Sequence, residues 1–208
     1  MTSGEFAEKF SVSRETITLL ESYEALLRRW QKAQNLVAPA TLAAVWERHF
    51  ADSAQLLSLA PEARRWLDLG SGAGFPGMVL AILLKDKENA KVDLVEANAK
   101  KCAFLGAVKR ETGAPANVHR MRIEDAANQL AGPFDVVTAR ALAPLNQLFT
   151  LCAPFMGQGT RLLLLKGRDV ALELTEAARY WNIVYDSHQS LTDSRGRILM
   201  VYSLNRRT

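Results

Sequence analysis

Short apolar runs alternate with amphipathic stretches along the chain from residue 64 onward. Runs of apolar and β-branched residues predict strands at 64–69, 91–96, 117–121, 134–139, 160–165, 182–186 and 197–204. The stretches between the first six runs predict helices near 76–85, 99–112, 124–131, 145–152 and 170–180. This alternation predicts a mostly parallel seven-stranded sheet with helices on both faces. Because no helix separates the last two runs, the last strand is expected to run antiparallel.

The first sixty residues are predicted to be helical. Apolar residues repeat there with a helical period at Leu19, Tyr23, Leu26, Trp30 and Ala33. Ser13 is expected to cap this helix. A second helix after Pro39 is predicted from the apolar stripe Leu42, Val45, Trp46, His49, Phe50 and Leu57. We therefore expect an N-terminal helical extension over 1–60 and a sheet domain over 61–208, packed as a single unit.

Composition and charge restrict the function classes only mildly. The chain has 208 residues, of which 49% are hydrophobic and 23% charged, as is typical of one globular domain with a short extension. A net charge of +4 permits a nucleic-acid partner without requiring one. Basic residues without acids occur in 98–110 and after Asp193, which predicts a phosphate-contacting surface or, for the helix, a solvated face. Arg48 and Asp52, four residues apart, are expected to form a weak surface ion pair.

Cysteine and histidine usage points to an intracellular protein without a metal. Cys102 and Cys152 lie in helical patterns and make no disulfide framework, so reduced core thiols are expected. His119 and His188 have no partners at metal-ligand spacing, and no metal site is predicted. No stretch approaches the length of a membrane span. We expect a cytoplasmic monomer with no membrane partner.

The segment 68–77, DLGSGAGFPG, carries the strongest functional signal. It joins an apolar strand to an apolar helix, and its alternating glycines allow a sharp turn that a ligand can approach closely. Pro76 suits the first turn of a helix, where its missing N–H costs nothing. Such a strand, turn and helix are typical of the nucleotide-binding loop of a doubly wound fold. A turn without a ligand is disfavoured, because so many glycines cost chain entropy.

The residues around these glycines favour S-adenosylmethionine over NAD. Gly72, Gly74 and Gly77 match the dinucleotide spacing, which alone is a weak signal. Asp68, however, places a carboxylate where it would repel a diphosphate, and Phe75 replaces a fingerprint glycine. S-adenosylmethionine carries a sulfonium and an ammonium, which tolerate a carboxylate. The cofactor residues predicted in this loop are Asp68, Gly70, Gly72, Gly74 and Phe75.

Glu96 provides a second acidic signal. It ends the second predicted strand, a little over twenty residues after the glycine cluster. At this position an acid accepts hydrogen bonds from ribose hydroxyls. A helix-capping or solvated glutamate is the alternative. Asn98 is expected to cap the helix that follows.

Six segments together make the chain resemble a known family. They are QNL (34–36), RHFADS (48–53), DLGSGAGFPG (68–77), LVEANAKKCAFL (94–105), VTARALAPL (137–145) and LLLLKG (162–167). Their order and spacing resemble the ribosomal RNA small subunit methyltransferase G family, also called the glucose-inhibited division B family, over about 20–204. The resemblance implies an α/β fold of class I S-adenosylmethionine-dependent methyltransferases. That fold is Rossmann-like, with a mostly parallel seven-stranded sheet and one antiparallel strand.

The resemblance also implies an activity and a partner. The family transfers a methyl group from S-adenosylmethionine to ring nitrogen 7 of a guanine in the 530 loop of 16S rRNA. The implied partner is 16S rRNA, within the small ribosomal subunit or an assembly intermediate. Ring nitrogen 7 carries a lone pair and no proton, so no general base is expected and positioning supplies most of the rate.

Site roles follow from the resemblance, residue by residue. Gly70 and Phe75 are implied cofactor contacts, and Ile123 and Glu124 are implied to flank the adenine. Arg140 is an implied cofactor or substrate-side contact. The other implied substrate-side or supporting residues are Asn35, Arg48, His49, Lys166, Arg195 and Arg197. Arg140 and Lys166 are expected to position the reactants, not to transfer protons.

Three other functions remain open at this point. A methyltransferase of the same fold that acts on a small molecule is one, and a non-catalytic RNA-binding module is another. An NAD enzyme is the third. The segment TARALAPL after the fourth strand lacks the Asn-Pro-Pro-Tyr pattern of exocyclic-amine methyltransferases. Neither cysteine lies in a Pro-Cys setting after the fourth or fifth strand, which disfavours a covalent cytosine C5 mechanism.

Overall fold

The computed structural model describes residues 1–130 and 132–207. Its strands are β1 (Arg65–Leu69), β2 (Lys91–Glu96), β3 (Ala116–Arg120), β4 (Val136–Arg140), β5 (Arg161–Lys166), β6 (Trp181–Gln189) and β7 (Arg197–Arg206). They form a seven-stranded sheet in the order β3-β2-β1-β4-β5-β7-β6. The pairs among β1 to β5 are parallel, and β7 runs antiparallel to both β5 and β6. The predicted sheet and the direction of its last strand are therefore confirmed.

Helices precede the sheet and lie in the connections from β1 to β6. They are α1 (Ser3–Phe10), α2 (Arg14–Gln31), α3 (Pro39–Leu42), α4 (Asp52–Ala54), α5 (Leu56–Leu59), α6 (Gly77–Leu83), α7 (Ala99–Thr112), α8 (Ile123–Gln129), α9 (Leu145–Cys152) and α10 (Val170–Ala177). Asn98 Oδ1 accepts the N–H of Lys100 at 2.9 Å, which confirms the predicted cap of α7. The helix predicted over 124–131 ends at Gln129, and Ala131 lies outside the described residues.

The prediction of one continuous second helix in the extension is wrong. Between α3 and α4 the chain forms a π-helical turn, Trp46–Ala51. No glycine or proline in this stretch marks the interruptions. The turn buries His49 and Phe50 next to each other, together with Trp46. Tertiary packing, not local propensity, therefore sets the backbone here, and π turns often occur at functional sites.

Strand β6 is longer than the apolar run 182–186 that predicts it. It continues to Gln189, whose partner on β7 is Arg197. β6 lies at the edge of the sheet, and Val184 and Tyr185 are 60% and 40% exposed. Polar residues extend an edge strand through backbone pairing alone, so its end carries no hydrophobic signal.

Two hydrophobic layers cover the sheet. On one face, apolar residues of α1, α2, α6 and α7 pack against residues of β1 and β2 such as Trp66 and Leu94. On the other face, α8, α9 and α10 pack against residues such as Leu67 and Val137. The layer with α1 and α2 joins the extension to the sheet.

The extension contacts the glycine-rich loop directly through Tyr23 of α2. The Tyr23 side chain is fully buried, its hydroxyl donates to the carbonyl of Ala73, and its ring stacks on Phe75 at 5.5 Å. Ser13 caps α2 as predicted, with its Oγ accepting the N–H of Thr16 at 3.2 Å. The division at residue 60 stays a prediction about organisation. The contacts of Tyr23 show how closely its two parts pack.

Candidate active site

Two cavities open side by side at the carboxyl edge of the sheet, where ligands bind in open α/β folds. The first, called the β2 cavity, has a volume of about 390 Å³ and is lined by residues that include Val95, Glu96, Ile123, Glu124 and Leu142. The second, called the extension cavity, has a volume of about 490 Å³ and is lined by residues that include Thr41, Arg48, His49, Asp52, Phe75, Arg140, Lys166, Asp193 and Arg197. Gly70, Lys101 and Ala141 line both, so the cavities meet beside the glycine loop.

The three loop glycines all have positive φ: +69° at Gly70, +59° at Gly72 and +93° at Gly74. They differ in what surrounds them. A Cβ on Gly74 would lie 2.6 Å from the hydroxyl oxygen of Tyr23, so this glycine lets α2 approach the loop. A Cβ on Gly72 would meet only the carbonyl oxygen of Gly70, at 3.8 Å. Gly70 lines both cavities and Gly72 lines the extension cavity, whereas Gly74 is packed against the extension.

Asp68 supports the loop from below. Its side chain is fully buried, and Oδ2 accepts the N–H of Gly77 at 3.1 Å, at the first residue of α6. Burial raises the pKa of this carboxyl group to about 7. The direct cofactor contact expected from the sequence requires an accessible carboxylate, and the structure instead directs this group to α6. The physical reason is that α6 covers the end of β1.

Glu96 joins the glycine loop to the end of β2. Its Oε2 accepts the N–H of Gly72 at 2.9 Å, and its Oε1 accepts the N–H of Asn98 at 2.7 Å. The residue is 9% exposed and lines the β2 cavity, so it is not a solvated glutamate. Since Asn98 caps α7, Glu96 is not the cap either. Two carboxylate oxygens with one backbone partner each retain lone pairs for a ligand.

The far side of the β2 cavity comes from two loops. Ile123 and Glu124 begin α8 and line this cavity, as the resemblance implies. Ala141 follows β4 and has φ of +50°, which is uncommon for a residue with a Cβ. Its place where the cavities meet indicates that the loop after β4 is held in a required shape.

Arg140, the last residue of β4, connects the sheet to the π-helical turn. Its Nη1 donates to the carbonyl of Arg48 at 3.0 Å and to Oδ2 of Asp52 at 3.2 Å. Its Nη2 lies 2.9 Å from Nδ1 of His49. The guanidinium also lies over the ring of Phe75, 5.2 Å from its centroid. Arg140 therefore both lines the extension cavity and takes part in an ion pair.

His49 is fixed in one neutral tautomer. Because an arginine only donates, Nδ1 of His49 must be the acceptor from Arg140, and Nε2 then donates to Oγ1 of Thr41 at 2.9 Å. The ring stacks on Phe75 at 4.6 Å. Burial, together with the positive charges of Arg140 and Arg48, lowers the pKa of His49 to about 3. Its imidazole is therefore uncharged at neutral pH, with both nitrogens engaged.

Lys166, at the end of β5, holds the loop that follows β4. Its Nζ donates to the carbonyl of Ala143 at 3.1 Å and pairs with Oε2 of Glu173 at 2.6 Å. The same oxygen of Glu173 accepts the N–H of Leu145 at 2.8 Å, at the start of α9. The Lys166 side chain is only 10% exposed and lines the extension cavity.

The predicted ion pair between Arg48 and Asp52 is wrong. Arg48 pairs with Asp193 at 3.2 Å, and Asp52 pairs with Arg140. Asp52 also accepts from Oγ1 of Thr192 at 2.8 Å. The β6–β7 turn competes for both side chains, which spacing along one helix does not reveal. These contacts close the extension cavity between the extension and the start of β7.

Comparisons with known proteins decide the family. The model of the family described as rRNA small subunit methyltransferase G matches residues 16–200. The ribosomal RNA small subunit methyltransferase G of Methylorubrum populi is 55% identical over 94% of this chain and 92% of its own. That of Rhodopseudomonas palustris is 54% identical over 90% of this chain and 79% of its own. The chain belongs to the rRNA small subunit methyltransferase G family.

Solved structures of low identity share the fold. Cofactor-bound Rv0187 from MTB aligns with a TM-score of 0.62 at 18% identity, covering 89% of each chain. A mutant of MtNAS in complex with S-adenosylmethionine aligns with a TM-score of 0.58 at 14% identity, covering 97% of this chain and 83% of its own. The fold of this family member is that of class I methyltransferases, as the sequence predicts.

The remaining substrate-side residues expected for this family differ in their distance from the cavities. Arg197 lines the extension cavity, where it donates to the carbonyl of Gly196 at 3.0 Å. Arg195 is exposed in the adjoining turn. Asn35 is exposed beside Leu36, and it is Leu36 that lines the cavity.

The two basic segments do not form one surface. Lys101 lies at the cavities, but Lys109 and Arg110 lie near the other end of α7, about 12 Å further along the helix axis. Likewise Arg206 ends β7 and stacks on Trp181, about 30 Å along the strand from Arg197. Only the first part of each segment adjoins the site.

Sequence reasoning misses three residues of the site: Lys101, Ala141 and Asp193. The charge pattern groups Lys101 with a basic helix, although its place in the first turn of α7 puts it near the glycine loop. Ala141 and Asp193 carry no local signal. Within 1–130 and 132–207, no cluster of three or more His, Cys, Asp or Glu could hold a metal ion. No helix in the same described ranges is long and apolar enough to cross a membrane.

Proposed function

We propose that the protein transfers a methyl group from S-adenosylmethionine to ring nitrogen 7 of a guanine in the 530 loop of 16S rRNA. Membership of the family supports a methyltransferase of small-subunit ribosomal RNA. The observation that carries the proposal is the junction of the two cavities at Gly70, Lys101 and Ala141. A donor in one cavity and an acceptor in the other meet there. The transfer requires the reacting atoms to be held in line, about 3–3.5 Å apart.

The β2 cavity fits the nucleoside part of S-adenosylmethionine. Glu96 retains free lone pairs at the position where an acid accepts from ribose hydroxyls. Val95, Ile123 and Leu142 supply apolar surface for an adenine ring. Gly70 is the loop glycine that lines this cavity, and it lines the extension cavity as well. When bound, the cofactor supplies an electrophilic methyl group carried on a sulfonium.

The start of α6 does not fit a dinucleotide. A helix that binds a diphosphate leaves its first N–H groups free. Here Asp68 accepts the N–H of Gly77, and the carbonyl of Gly74 accepts the N–H of Met78 at 2.9 Å. The preference for S-adenosylmethionine over NAD therefore rests on the first N–H groups of α6, which already have hydrogen-bond acceptors within the protein. The repulsion expected from Asp68 is not needed, because its carboxyl group is buried.

The extension cavity suits an acceptor atom that needs no general base. Ring nitrogen 7 of guanine has no proton to lose. His49, the histidine lining this cavity, uses its Nδ1 lone pair for Arg140 and stays uncharged. Asp52 is engaged by Arg140 and Thr192. The polar groups deep in the cavity thus hold each other in place, which is what catalysis by positioning requires.

Arg140 and Lys166 act as positioning residues. Arg140 fixes the π-helical turn to the end of β4, and Lys166 fixes the loop after β4 to the end of β5. Ala141 lies between these two attachments. We propose that Arg140 and Lys166 together keep the junction of the two cavities open and rigid.

The proposed substrate is a structured RNA. Arg48, Lys101 and Arg197 line the cavities, with Arg195 exposed nearby, and such a basic rim suits RNA phosphates. The target guanine has to leave its stack to enter the extension cavity. We propose that the protein acts as a monomer in the cytoplasm, on 16S rRNA of the small subunit or of an assembly intermediate.

The test is an incubation with S-adenosylmethionine and small subunits from cells that lack this enzyme. Naked 16S rRNA and assembly intermediates serve as parallel substrates, and nucleoside mass spectrometry locates the product. One new 7-methylguanine in the 530 loop is expected from at least one of the three.

Negative results distinguish the alternatives. Binding of S-adenosylmethionine by calorimetry, without methylation of any of the three RNAs, would overturn the RNA substrate and favour a small-molecule acceptor. Absence of both binding and methylation would overturn the assignment of the β2 cavity to this cofactor.

A further inference from the structure

Asp193 is the carboxylate of the extension cavity that remains available to a ligand. Its side chain is 31% exposed, in the turn between β6 and β7. Oδ1 accepts the N–H of Arg195 at 2.9 Å, and Oδ2 accepts from Nη1 of Arg48 at 3.2 Å. A carboxylate has about four lone-pair sites, so about two remain free. Asp52, in contrast, already has Arg140, Thr192 and Gln55 as partners.

Asp193 lies four residues before the start of β7 and lines the same cavity as Ala141. Its turn leads into β7, where Arg197 pairs with Lys166 of β5, and β5 pairs with β4. Two strand spacings, about 10 Å in total, therefore separate the start of β7 from the end of β4 and Ala141. That span accommodates a purine with the methyl donor at one edge and a hydrogen-bond partner at the other.

We propose that Asp193 selects guanine by accepting hydrogen bonds from N1–H and from the N2 amino group of the target base. This inference rests on the proposed function. Guanine carries these two adjacent donors on the edge opposite ring nitrogen 7. The other three bases lack such a pair of neighbouring donors on their pairing edge. Arg48 positions the carboxylate, and Arg195 fixes it through its backbone N–H.

The same contact favours the transition state. As the methyl group moves to ring nitrogen 7, the purine gains positive charge, and N1–H and the amino group become stronger donors. The hydrogen bonds to an anionic acceptor therefore strengthen during the transfer. An interaction that grows in the transition state raises kcat and not only affinity.

The test combines one protein change with one change in the substrate. Subunits are reconstituted with 16S rRNA that carries either guanosine or inosine, which lacks the N2 amino group, at the target position. For the wild-type protein, inosine is expected to lower kcat/KM about tenfold. Asp193→Asn is expected to lower kcat/KM on guanosine by about 10- to 100-fold, because the amide has a single acceptor oxygen and cannot form the bidentate contact with both donors. On this variant, inosine should cost less than about threefold, because the carboxylate partner is already lost.

Asp186→Asn is the matched control, since Asp186 lies on β6 and its partner is the hydroxyl of Tyr202 at 2.7 Å. This variant should keep the full discrimination between guanosine and inosine. Equal rates of the wild-type protein on both substrates would overturn the proposal without any variant. An inosine penalty in Asp193→Asn as large as in the wild type would overturn it as well, since Asp193 would then only shape the turn. No methylation of the guanosine subunit by the wild-type protein would instead contradict the proposed function.

Discussion

The β2 cavity and the extension cavity lie side by side but are assembled differently. In the β2 cavity, a contact such as Glu96 with Gly72 joins residues 24 positions apart, at the ends of neighbouring parallel strands. In the extension cavity, Arg48 meets Asp193 across 145 positions, and Arg140 meets His49 across 91. The first cavity is a property of the sheet. The second exists only when the extension and the β6–β7 turn dock on it.

Phe75 links the glycine loop to the residues of the extension cavity. It ends the glycine loop that serves the β2 cavity, yet its ring packs among His49, Tyr23 and Arg140 of the other side. Docking of the extension therefore fixes the glycine loop, to which we assign cofactor binding. Substitutions that loosen the extension should therefore also alter the β2 cavity, whereas substitutions in the β2 cavity need not alter the extension.

The strongest test of this comparison uses two glycines of one loop. Gly74→Ala should destabilise the fold by about 3 kcal/mol, because its Cβ would lie 2.6 Å from Tyr23 Oη and 2.7 Å from Met78 Cβ at a positive φ. Gly72→Ala should cost only about 1 kcal/mol, from backbone strain. Urea unfolding measures both values, and calorimetry should show that Gly72→Ala weakens the binding of S-adenosylmethionine. Equal losses of stability would contradict the different orientations of the two glycines.

Arg140→Ala tests the junction of the cavities. We expect activity on the small subunit to fall at least tenfold while the fold persists, because the π-helical turn loses two donor contacts from this side chain and the start of α4 loses one. Circular dichroism checks the fold, and initial rates of methyl transfer check the activity. Arg168→Ala is the control, since the Arg168 side chain is 70% exposed and pairs with its neighbour Asp169. Unchanged turnover in Arg140→Ala would remove its positioning role.

The same contrast explains what the sequence can predict. The glycine loop, Glu96 and the cap at Asn98 are local signals, and each is placed correctly at the end of a strand or the start of a helix. The π-helical turn and the partners of Arg48 depend on contacts with distant segments, so helical periodicity predicts the wrong backbone and the wrong ion pair. Arg140 can be recognised because the end of a central strand is itself a local signal.

Asp68 shows the limit of a correct motif. The sequence predicts its place at the end of β1, but the direction of its side chain depends on how closely α6 packs. A Cβ on Gly77 would lie 2.7 Å from Asp68 Oδ2, so the missing side chain of Gly77 allows the buried contact. That approach of helix to strand is a tertiary property, which the sequence motif does not specify.

Two buried groups beside the loop should give the stability opposite dependences on pH. The pKa of His49 is lowered to about 3, so the unfolded chain binds its proton more readily and stability rises from about pH 3 to 6.5. The pKa of Asp68 is raised to about 7, so the folded chain keeps its proton longer and stability falls from about pH 4 to 7. In the wild-type protein the two slopes offset each other over most of this window.

Single substitutions should expose each slope. Asp68→Asn leaves His49, so its unfolding free energy should rise with pH by roughly 1 kcal/mol per unit between pH 4 and 6. His49→Asn leaves Asp68, so its unfolding free energy should fall with pH by a similar amount in the same window. Urea unfolding at several pH values gives the slopes. Only unfolding free energies of the same variant at different pH values are compared, so that the pH-independent effect of each substitution on stability cancels. Slopes of the same sign in both variants would show that one of the two groups is not buried in this way.

The smallest expected effect concerns the contact between the extension and the loop. Tyr23→Phe keeps the ring that stacks on Phe75 but leaves the carbonyl of Ala73 without its buried donor. A loss of about 1 kcal/mol in unfolding free energy is expected, with weaker binding of S-adenosylmethionine, because the loop is less firmly held. Tyr202→Phe removes a hydroxyl that is bonded at the surface, where Tyr202 is 43% exposed, and should change stability by less than about 0.5 kcal/mol. If Tyr23→Phe lowered stability without changing the affinity for S-adenosylmethionine, the extension would support the fold but not the glycine loop. The coupling between the two cavities would then have to pass through Arg140 and His49 alone.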